Sequence, residues 1–244
     1  MDYDKDFEDG YEYTSLGALH YMHHPGIAKK IIFLHGLGSN TKAWAKLVGF
    51  LPDDLDVFLI DLLGHGKSDA PDIEYTVSAQ FQALREFIAL RNNGDSYIFG
   101  HSYGGWIAAY YATQPCSCKG IILEDSAGLK EQLDAIESAG KEKYIEGMLH
   151  MLLSMNNNKE SVFRSILESD FNDDRLTSDE LSMISAKTQL IWGSDDKLVE
   201  RRYADSFKDN IKGSTLDIID GAGHEPHFTN PNEVFGILAK FMEL

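Results

Sequence analysis

Thiols are almost absent from this chain. Among its 244 residues only Cys116 and Cys118 carry one, and a single residue separates them. That spacing does not suit ordinary disulfide geometry, and no third cysteine offers another partner. Free thiols of a reducing compartment are expected, and a metal site built on them would lack further ligands nearby. Long apolar runs are missing as well: nothing approaches the roughly 20 residues that a membrane-spanning helix needs. The opening residues, Met-Asp-Tyr-Asp-Lys-Asp, are acidic and have no apolar core, so no signal peptide and a cytoplasmic location are expected. Positive charge is scarce. The 22 Lys and Arg residues face 39 Asp and Glu residues, a formal net charge of −17. Nucleic acid and anionic membrane surfaces carry the same sign, which argues against either as an electrostatic partner.

What is present reads as an ordinary globular interior. Apolar residues make up 43% and charged residues 25%, and the length suits one α/β domain with a sizeable core. Tyr11 to Ser15 and Ala18 to His23 predict a hairpin around Leu16-Gly17, with His23-His24 at its exposed end. Lys30 to Leu34, Asp56 to Ile60 and Gly120 to Glu124 are short apolar runs of the kind buried on both faces of a parallel sheet, and Tyr97 to Gly100, Thr188 to Trp192 and Ser214 to Ile219 read as further strands. Helical patterns separate them: Trp44 to Leu51, Val77 to Arg91, Trp106 onward to Pro115, Tyr203 to Lys208, and the stretch after Pro231. Eight strands are countable, and the alternation predicts an open, mostly parallel sheet with helices on its faces. The rhythm breaks from Leu129 to Lys187, an interval far longer than a usual connection. Tyr144, Ile145, Met148, Leu149, Leu152 and Leu153 stand at helical spacing there, before a break at Asn156-Asn157-Asn158. Inserted after a strand's C-terminal end, where α/β folds keep their sites, this segment reads as a helical lid.

The stretch with most chemistry in it is Tyr97-Ile-Phe-Gly100-His101-Ser102-Tyr103-Gly104-Gly105-Trp106. A strand former run, a Gly-x-Ser-x-Gly and a helix former run follow one another directly. In that context the serine sits on a tight turn with its hydroxyl projecting from the sheet top, and Gly100 and Gly104 leave room that a side chain would fill. A serine hydroxyl is a weak nucleophile until a base is in reach and a third group orients the base. Asp196 and His224 follow Ser102 in that order, each in a loop after an expected strand, and parallel strands bring such loops to one side. Asp195 and Asp125 also satisfy the order; a position three residues beyond Gly193 favours Asp196. His35, His65, His101 and His227 are the other histidines near expected loops, and only His224 pairs the last strand's loop with this order. His35 and His65 fit structural hydrogen-bonding roles.

Five motifs now stand in sequence: His35-Gly36-Leu37, Asp61-Leu-Leu-Gly64-His65-Gly66-Lys-Ser68, Gly100-His-Ser102-Tyr-Gly104, Gly193-Ser-Asp-Asp196 and Gly223-His224. With them the chain resembles the α/β-hydrolase fold superfamily, in its lidded serine esterase and lipase-like branch. The resemblance implies an eight-stranded, mostly parallel sheet with helices on both faces, a core formed by residues 1–128 and 188–244, and a helical lid over 129–187. It implies Ser102 as nucleophile, His224 as general base and later acid, and Asp196 as the acid that orients the imidazole. The backbone N–H groups of Leu37 and Tyr103 would form the oxyanion hole. The implied substrate is a small-molecule ester; His-Gly-Leu-Gly in place of a triple-glycine run suits small to medium acyl groups.

The same three residues also serve two further readings. One is cleavage of a carbon–carbon bond of a diketone-like acid, or of an aminoacyl bond, with Arg164, Arg175, Glu142 or Glu146 as anchoring charges. The other is a non-catalytic ligand receptor on the same fold. No cofactor and no metal are expected, because the histidines do not recur at His-x-x-x-His spacing and no Gly-rich loop matches a dinucleotide or phosphate fingerprint. Trp106, Tyr110 and Tyr111 on the elbow helix read as core or pocket wall. Met148, Met151 and Met155 read as helix packing before they read as an acyl pocket. Oligomeric state is open.

Overall fold

The computed structural model describes residues 5–91, 95–115, 118–155, 159–169, 171 and 175–244. Cys116 and the Asn156-Asn157-Asn158 break lie outside the described residues. Strands β1 (Glu8–Thr14) and β2 (Gly17–His24) form the opening hairpin, and β2 pairs antiparallel with β4 (Asp56–Ile60). All further pairing is parallel, through β3 (Lys30–Leu34), β5 (Tyr97–His101), β6 (Gly120–Glu124), β7 (Lys187–Gly193) and β8 (Thr215–Ile219). The eight strands lie in the order β1-β2-β4-β3-β5-β6-β7-β8.

The runs of β3, β4, β5, β6 and β7 are buried on both faces and their residues divide by parity, whereas β8, at the sheet edge, leaves Thr215, Asp217 and Ile218 exposed. Ile32, Leu34, Ile98, Ile121, Leu123 and Leu190 point into one apolar layer; Ile31, Phe33, Phe99, Ile122 and Ile191 point into the other. The first layer is covered by α2 (Val77–Leu90), α3 (Tyr103–Thr113) and α8 (Arg202–Asn210). The second is covered by α1 (Ala45–Val48) and α10 (Pro231–Met242). Thr76 starts α2 by accepting a hydrogen bond from the Ala79 amide, the usual service of a threonine N-cap. The short α9 (Pro226–Thr229) precedes α10.

Between β6 and β7 stand α4 (Lys130–Ala139), α5 (Lys141–Met155), α6 (Glu160–Ser169) and α7 (Ser178–Ser182). Their apolar stripes, including Ile145, Leu149, Phe163, Ile166 and Leu181, join the layer that already holds α2 and α3. A bridge between Leu129 and Leu176 ties the two ends of this helical segment together, and the Lys130 amide donates to the Leu176 carbonyl at 3.0 Å.

Two local expectations change. The helix expected over Trp44 to Leu51 is a 3-10 turn at Thr41–Trp44 followed by a single helical turn, α1. Gly49 at its C-cap and Pro52 just beyond stop it early. His23 and His24 are half-buried, not exposed: His23 stacks on Phe58 with ring centroids 4.1 Å apart and bonds Asp56 at 2.7 Å, so the hairpin end is pinned onto β4.

Candidate active site

The strand β5 runs straight into α3 through Ser102, whose φ of 53° and ψ of −113° lie outside the regions that L-residues favour. Such a backbone persists only when its surroundings fix it. Three hydrogen bonds do so: the Ser102 amide donates to the Glu124 carbonyl at 2.9 Å, and its carbonyl accepts from the Trp106 and Ala127 amides, each at 3.1 Å. Glycine is required on both sides. A Cβ on Gly100 would lie 2.2 Å from the Gly104 carbonyl oxygen, and one on Gly104 would lie 2.2 Å from that of Leu34.

From this turn a chain of side chains extends across the strand ends. His224 Nε2 lies 3.0 Å from Ser102 Oγ, and His224 Nδ1 lies 2.7 Å from Asp196 Oδ2. A carboxylate only accepts, so Nδ1 carries the hydrogen and Nε2 is left to accept from the serine hydroxyl. The second oxygen of Asp196 accepts from the Leu198 and Val199 amides at 2.7 and 3.0 Å. Burial acts to raise Asp196, but the hydrogen bond and charge of His224, with the two amides, outweigh it and hold the carboxyl below its usual range. Asp195 is exposed. Asp125, the other acid that fits the order, is fully buried behind Asp196: a carboxylate oxygen of each acid and a ring nitrogen of His224 lie within 4.8 Å of one another.

The loop that carries His224 is held from below. His101 donates from Nε2 to the His224 carbonyl at 2.7 Å. Burial, then the neighbouring His227 and His224, push His101 well below its usual range, so it is a neutral donor there. Glu124, at the end of β6, accepts from the His227 amide at 2.9 Å and bonds His227 Nδ1 as well. Sequence reasoning gave no role to Glu124 or His227, although two acids closing an apolar strand, Glu124-Asp125, were a visible signal. Buried acids need partners, and here the partners brace the histidine loop.

His35 and His65 organise the loops after β3 and β4. His35 donates to the Gly36 carbonyl at 2.8 Å and accepts from the Leu62 amide at 3.1 Å. His65 donates to the Leu63 carbonyl at 3.0 Å, and burial, with His35 beside it, pulls its pKa down to about 3. Asp61 accepts from the Thr41 and Lys67 amides at 2.7 and 2.9 Å and from His20 Nδ1 at 2.7 Å, which joins the two loops.

Leu37, Ser102, Tyr103 and His224 share the wall of a cavity of about 560 Å³. Tyr103 is the first residue of α3, so its amide has no acceptor within the helix. The rest of the wall is mainly apolar and comes largely from α4, α5 and the loop before α8. Trp106 lines it beneath Arg175, whose guanidinium sits 4.2 Å from the indole centroid. Met148 lines it too, whereas Met155 is exposed. Arg164 pairs with Glu146 at 3.0 Å on the outer surface and takes no part in the wall. Among the described residues two groups could approach a cation: His101 with Glu124 and His227, and Asp125 with Asp196 and His224. In each, most donor atoms already bond one another or loop amides. No helix of the described residues is long and apolar enough to cross a membrane.

Residues 31–237 match the model of the alpha/beta hydrolase family. Among curated proteins, monoacylglycerol lipase abhd6-A of Xenopus laevis is 23% identical over 94% of this chain and 78% of its own length. An uncharacterized protein of Mycobacterium tuberculosis is 26% identical over 89% of this chain and 76% of its own. Among solved structures, the enol-lactonase of Burkholderia xenovorans LB400 superposes with a TM-score of 0.79 at 19% identity, covering 96% of this chain and 100% of that one. A structure from work on carboxylesterases of Nitrososphaera gargenis gives 0.79 at 20% identity, covering 96% and 98%. At such identities the structural likeness speaks to the fold, while the family match spans most of the sequence: the chain belongs to the alpha/beta hydrolase family.

Proposed function

We propose that the protein is a serine hydrolase that cleaves a small to medium carboxylic ester through an acyl-enzyme. The observation that carries this reading is the line Ser102 Oγ, His224 Nε2 and Nδ1, Asp196 Oδ2, with contacts of 3.0 and 2.7 Å, opening on an apolar cavity. The lipase among its curated relatives points the same way. Ser102 Oγ attacks the ester carbonyl carbon as its proton passes to His224 Nε2. Asp196 steadies the resulting imidazolium and keeps Nδ1 protonated throughout. The carbonyl oxygen takes up the negative charge opposite the amides of Leu37 and Tyr103. When the tetrahedral adduct collapses, the carbon–oxygen bond to the alcohol breaks and His224 returns the proton to that oxygen. Water repeats the sequence on the acyl-enzyme, releasing the acid and restoring Ser102.

In this reading residues 129–187 act as a cap on a core formed by 1–128 and 188–244. Ala135, Ile136, Tyr144 and Met148, which line the cavity from α4 and α5, support that role. The expected outcome for Ser102→Ala is loss of p-nitrophenyl ester hydrolysis by a factor of about 10⁴–10⁶ in kcat with an unaltered melting curve, since a serine nucleophile has no substitute. Activity that survives the substitution would refute the assignment, and so would a folded wild type whose Ser102 a fluorophosphonate does not label.

One observation favours a variant of this reading. Lys143, Arg175 and Lys197 line the cavity, with Glu200 the one acid among the described lining residues, in a chain that carries far more acids than bases. An ester whose acyl or alcohol part bears a carboxylate suits such a wall. Turnover of a neutral ester and its carboxylated counterpart, compared at low and high salt, tests it: a preference for the charged ester that fades with salt is expected.

A further inference from the structure

We propose that Tyr203 sets the length of the apolar tail that the reaction cavity accepts, by closing it off from a second cavity beyond its ring. The inference rests on the serine hydrolase reading and narrows its substrate class to esters whose tail ends at Tyr203. The second cavity has a volume of about 330 Å³. Glu131 and Ala135 of α4 line it, with Arg202, Tyr203 and Ser206 of α8. Ala135 and Tyr203 line the reaction cavity as well. Two cavities that share two wall residues are divided by them. Ala135 offers only a methyl group, so the tyrosine ring is the bulk of the partition.

The ring is fixed where it stands. Tyr203 belongs to the first turn of α8, and its amide donates to the Glu200 carbonyl at 3.0 Å. Its side chain is buried in the apolar layer that holds Trp192 and Phe207. Arg202 lies against it, with the guanidinium carbon 4.8 Å from the ring centroid and Nη2 donating to Tyr203 Oη at 3.0 Å. Glu200 pairs with the same guanidinium at 3.2 Å. Arg202 and Glu200 are exposed, so their pair adds little, and packing in the layer does most of the holding. The two sides of the ring differ chemically. Trp106, Ile136 and Val199 give the reaction cavity apolar cover, whereas Glu131, Arg202 and Ser206 bring polar groups to the far side. A saturated tail therefore gains cover up to the ring and meets a steric stop there. A pocket discriminates roughly 10–200-fold for each methylene it accepts or refuses, so one wall residue produces a steep cut-off in chain length. Removing the ring joins the cavities, with the Ala135 methyl and the Arg202 stem left to flank a longer tail.

The test measures kcat/KM on two ester series. p-Nitrophenyl esters from acetate to dodecanoate vary the acyl tail, and acetate esters from methyl to dodecyl vary the alcohol tail. The wild type is expected to show a cut-off in one series, which identifies the side of the scissile bond that faces α8. Tyr203→Ala is expected to raise the long-to-short ratio of kcat/KM in that series by at least about tenfold. Tyr203→Phe, which keeps the ring and loses the hydroxyl, is expected to retain the wild-type cut-off. Tyr203→Leu repeats the comparison if the alanine disturbs folding. A wild type that takes every length alike, a folded variant with the cut-off unmoved, or a Tyr203→Phe that accepts long tails as Tyr203→Ala does, overturns the proposal. Calorimetric binding of fatty acids of the same lengths to Ser102→Ala and Ser102→Ala/Tyr203→Ala reads the partition without turnover. Loss of the ring is expected to tighten binding of the long chains at least about tenfold, and no gain overturns the proposal. A wild type inactive on every ester whose serine variants still show this gain refutes the proposed reaction and leaves the partition standing.

Discussion

A methyl group has nowhere to go at Gly104. The Leu34 carbonyl, the Gly100 region of β5 and the first turn of α3 close on one another there, and a Cβ would sit 2.2 Å from the Leu34 oxygen. Gly104→Ala is expected to destabilise the fold by about 1–3 kcal/mol or more, as overpacking does, and to lower esterase activity more than stability alone accounts for, because the strand that must shift adjoins Ser102. Paired melting and kcat measurements check it; wild-type values in both would show that the turn has slack. Single residues of this kind were readable in the sequence because a turn that tight excludes every side chain but hydrogen. The acid was not readable to the same degree. Asp125, Asp195 and Asp196 all follow strands, and what separates them is burial and the supply of amide donors, neither of which a linear pattern encodes.

The end of β6 is the element on which the His224 loop depends. Its Glu124 holds His227 by backbone and side chain, one turn of chain away from His224. Glu124→Gln keeps one acceptor but gives up the second carboxylate oxygen that bonds His227, and a displacement of the histidine loop by about 1 Å would cost on the order of a hundredfold in rate. A fall of about 10–100-fold in kcat with little change in KM is the expected result; an unchanged kcat would mean that the loop needs no brace. Strands and their order along the chain were legible, since continuous apolar runs of five residues have few other places to go. The helices between β6 and β7 were legible as helices only. Their apolar stripes state that something is to be covered, while the surface they cover is decided by α2 and α3, far away in sequence. The region around Trp44 misled because periodicity registers the buried Trp44, Leu47 and Val48 and ignores that Gly49 ends the turn.

For the whole molecule, pH acts through the hairpin as much as through the site. Burial pushes His20 down, yet the hydrogen bonds to Asp61 and Asp9 more than reverse this and leave it raised above 6.5. Burial likewise works to raise Asp61, and the His20 hydrogen bond leads the interactions that leave it below 3.8. The His20 contribution is complete below pH 6.5 and fades as pH climbs through the folded-state value; the Asp61 contribution is complete above pH 3.8 and fades as pH falls through its own. Between those limits the hairpin is tied to the loops after β3 and β4 by a charged pair. His20→Asn is expected to lower the melting temperature most near pH 5.5, with a gap from wild type that narrows toward pH 9. A gap independent of pH would mean that the residue contributes packing alone.

The hydrogen bond from His101 to the His224 carbonyl has a mechanical meaning. His101 precedes Ser102 in the chain, so Ser102 and His224 are fastened to each other through one peptide unit and one imidazole. The bond passes a displacement of one loop to the other, so the spacing of Ser102 Oγ and His224 Nε2 is set by the strand ends themselves.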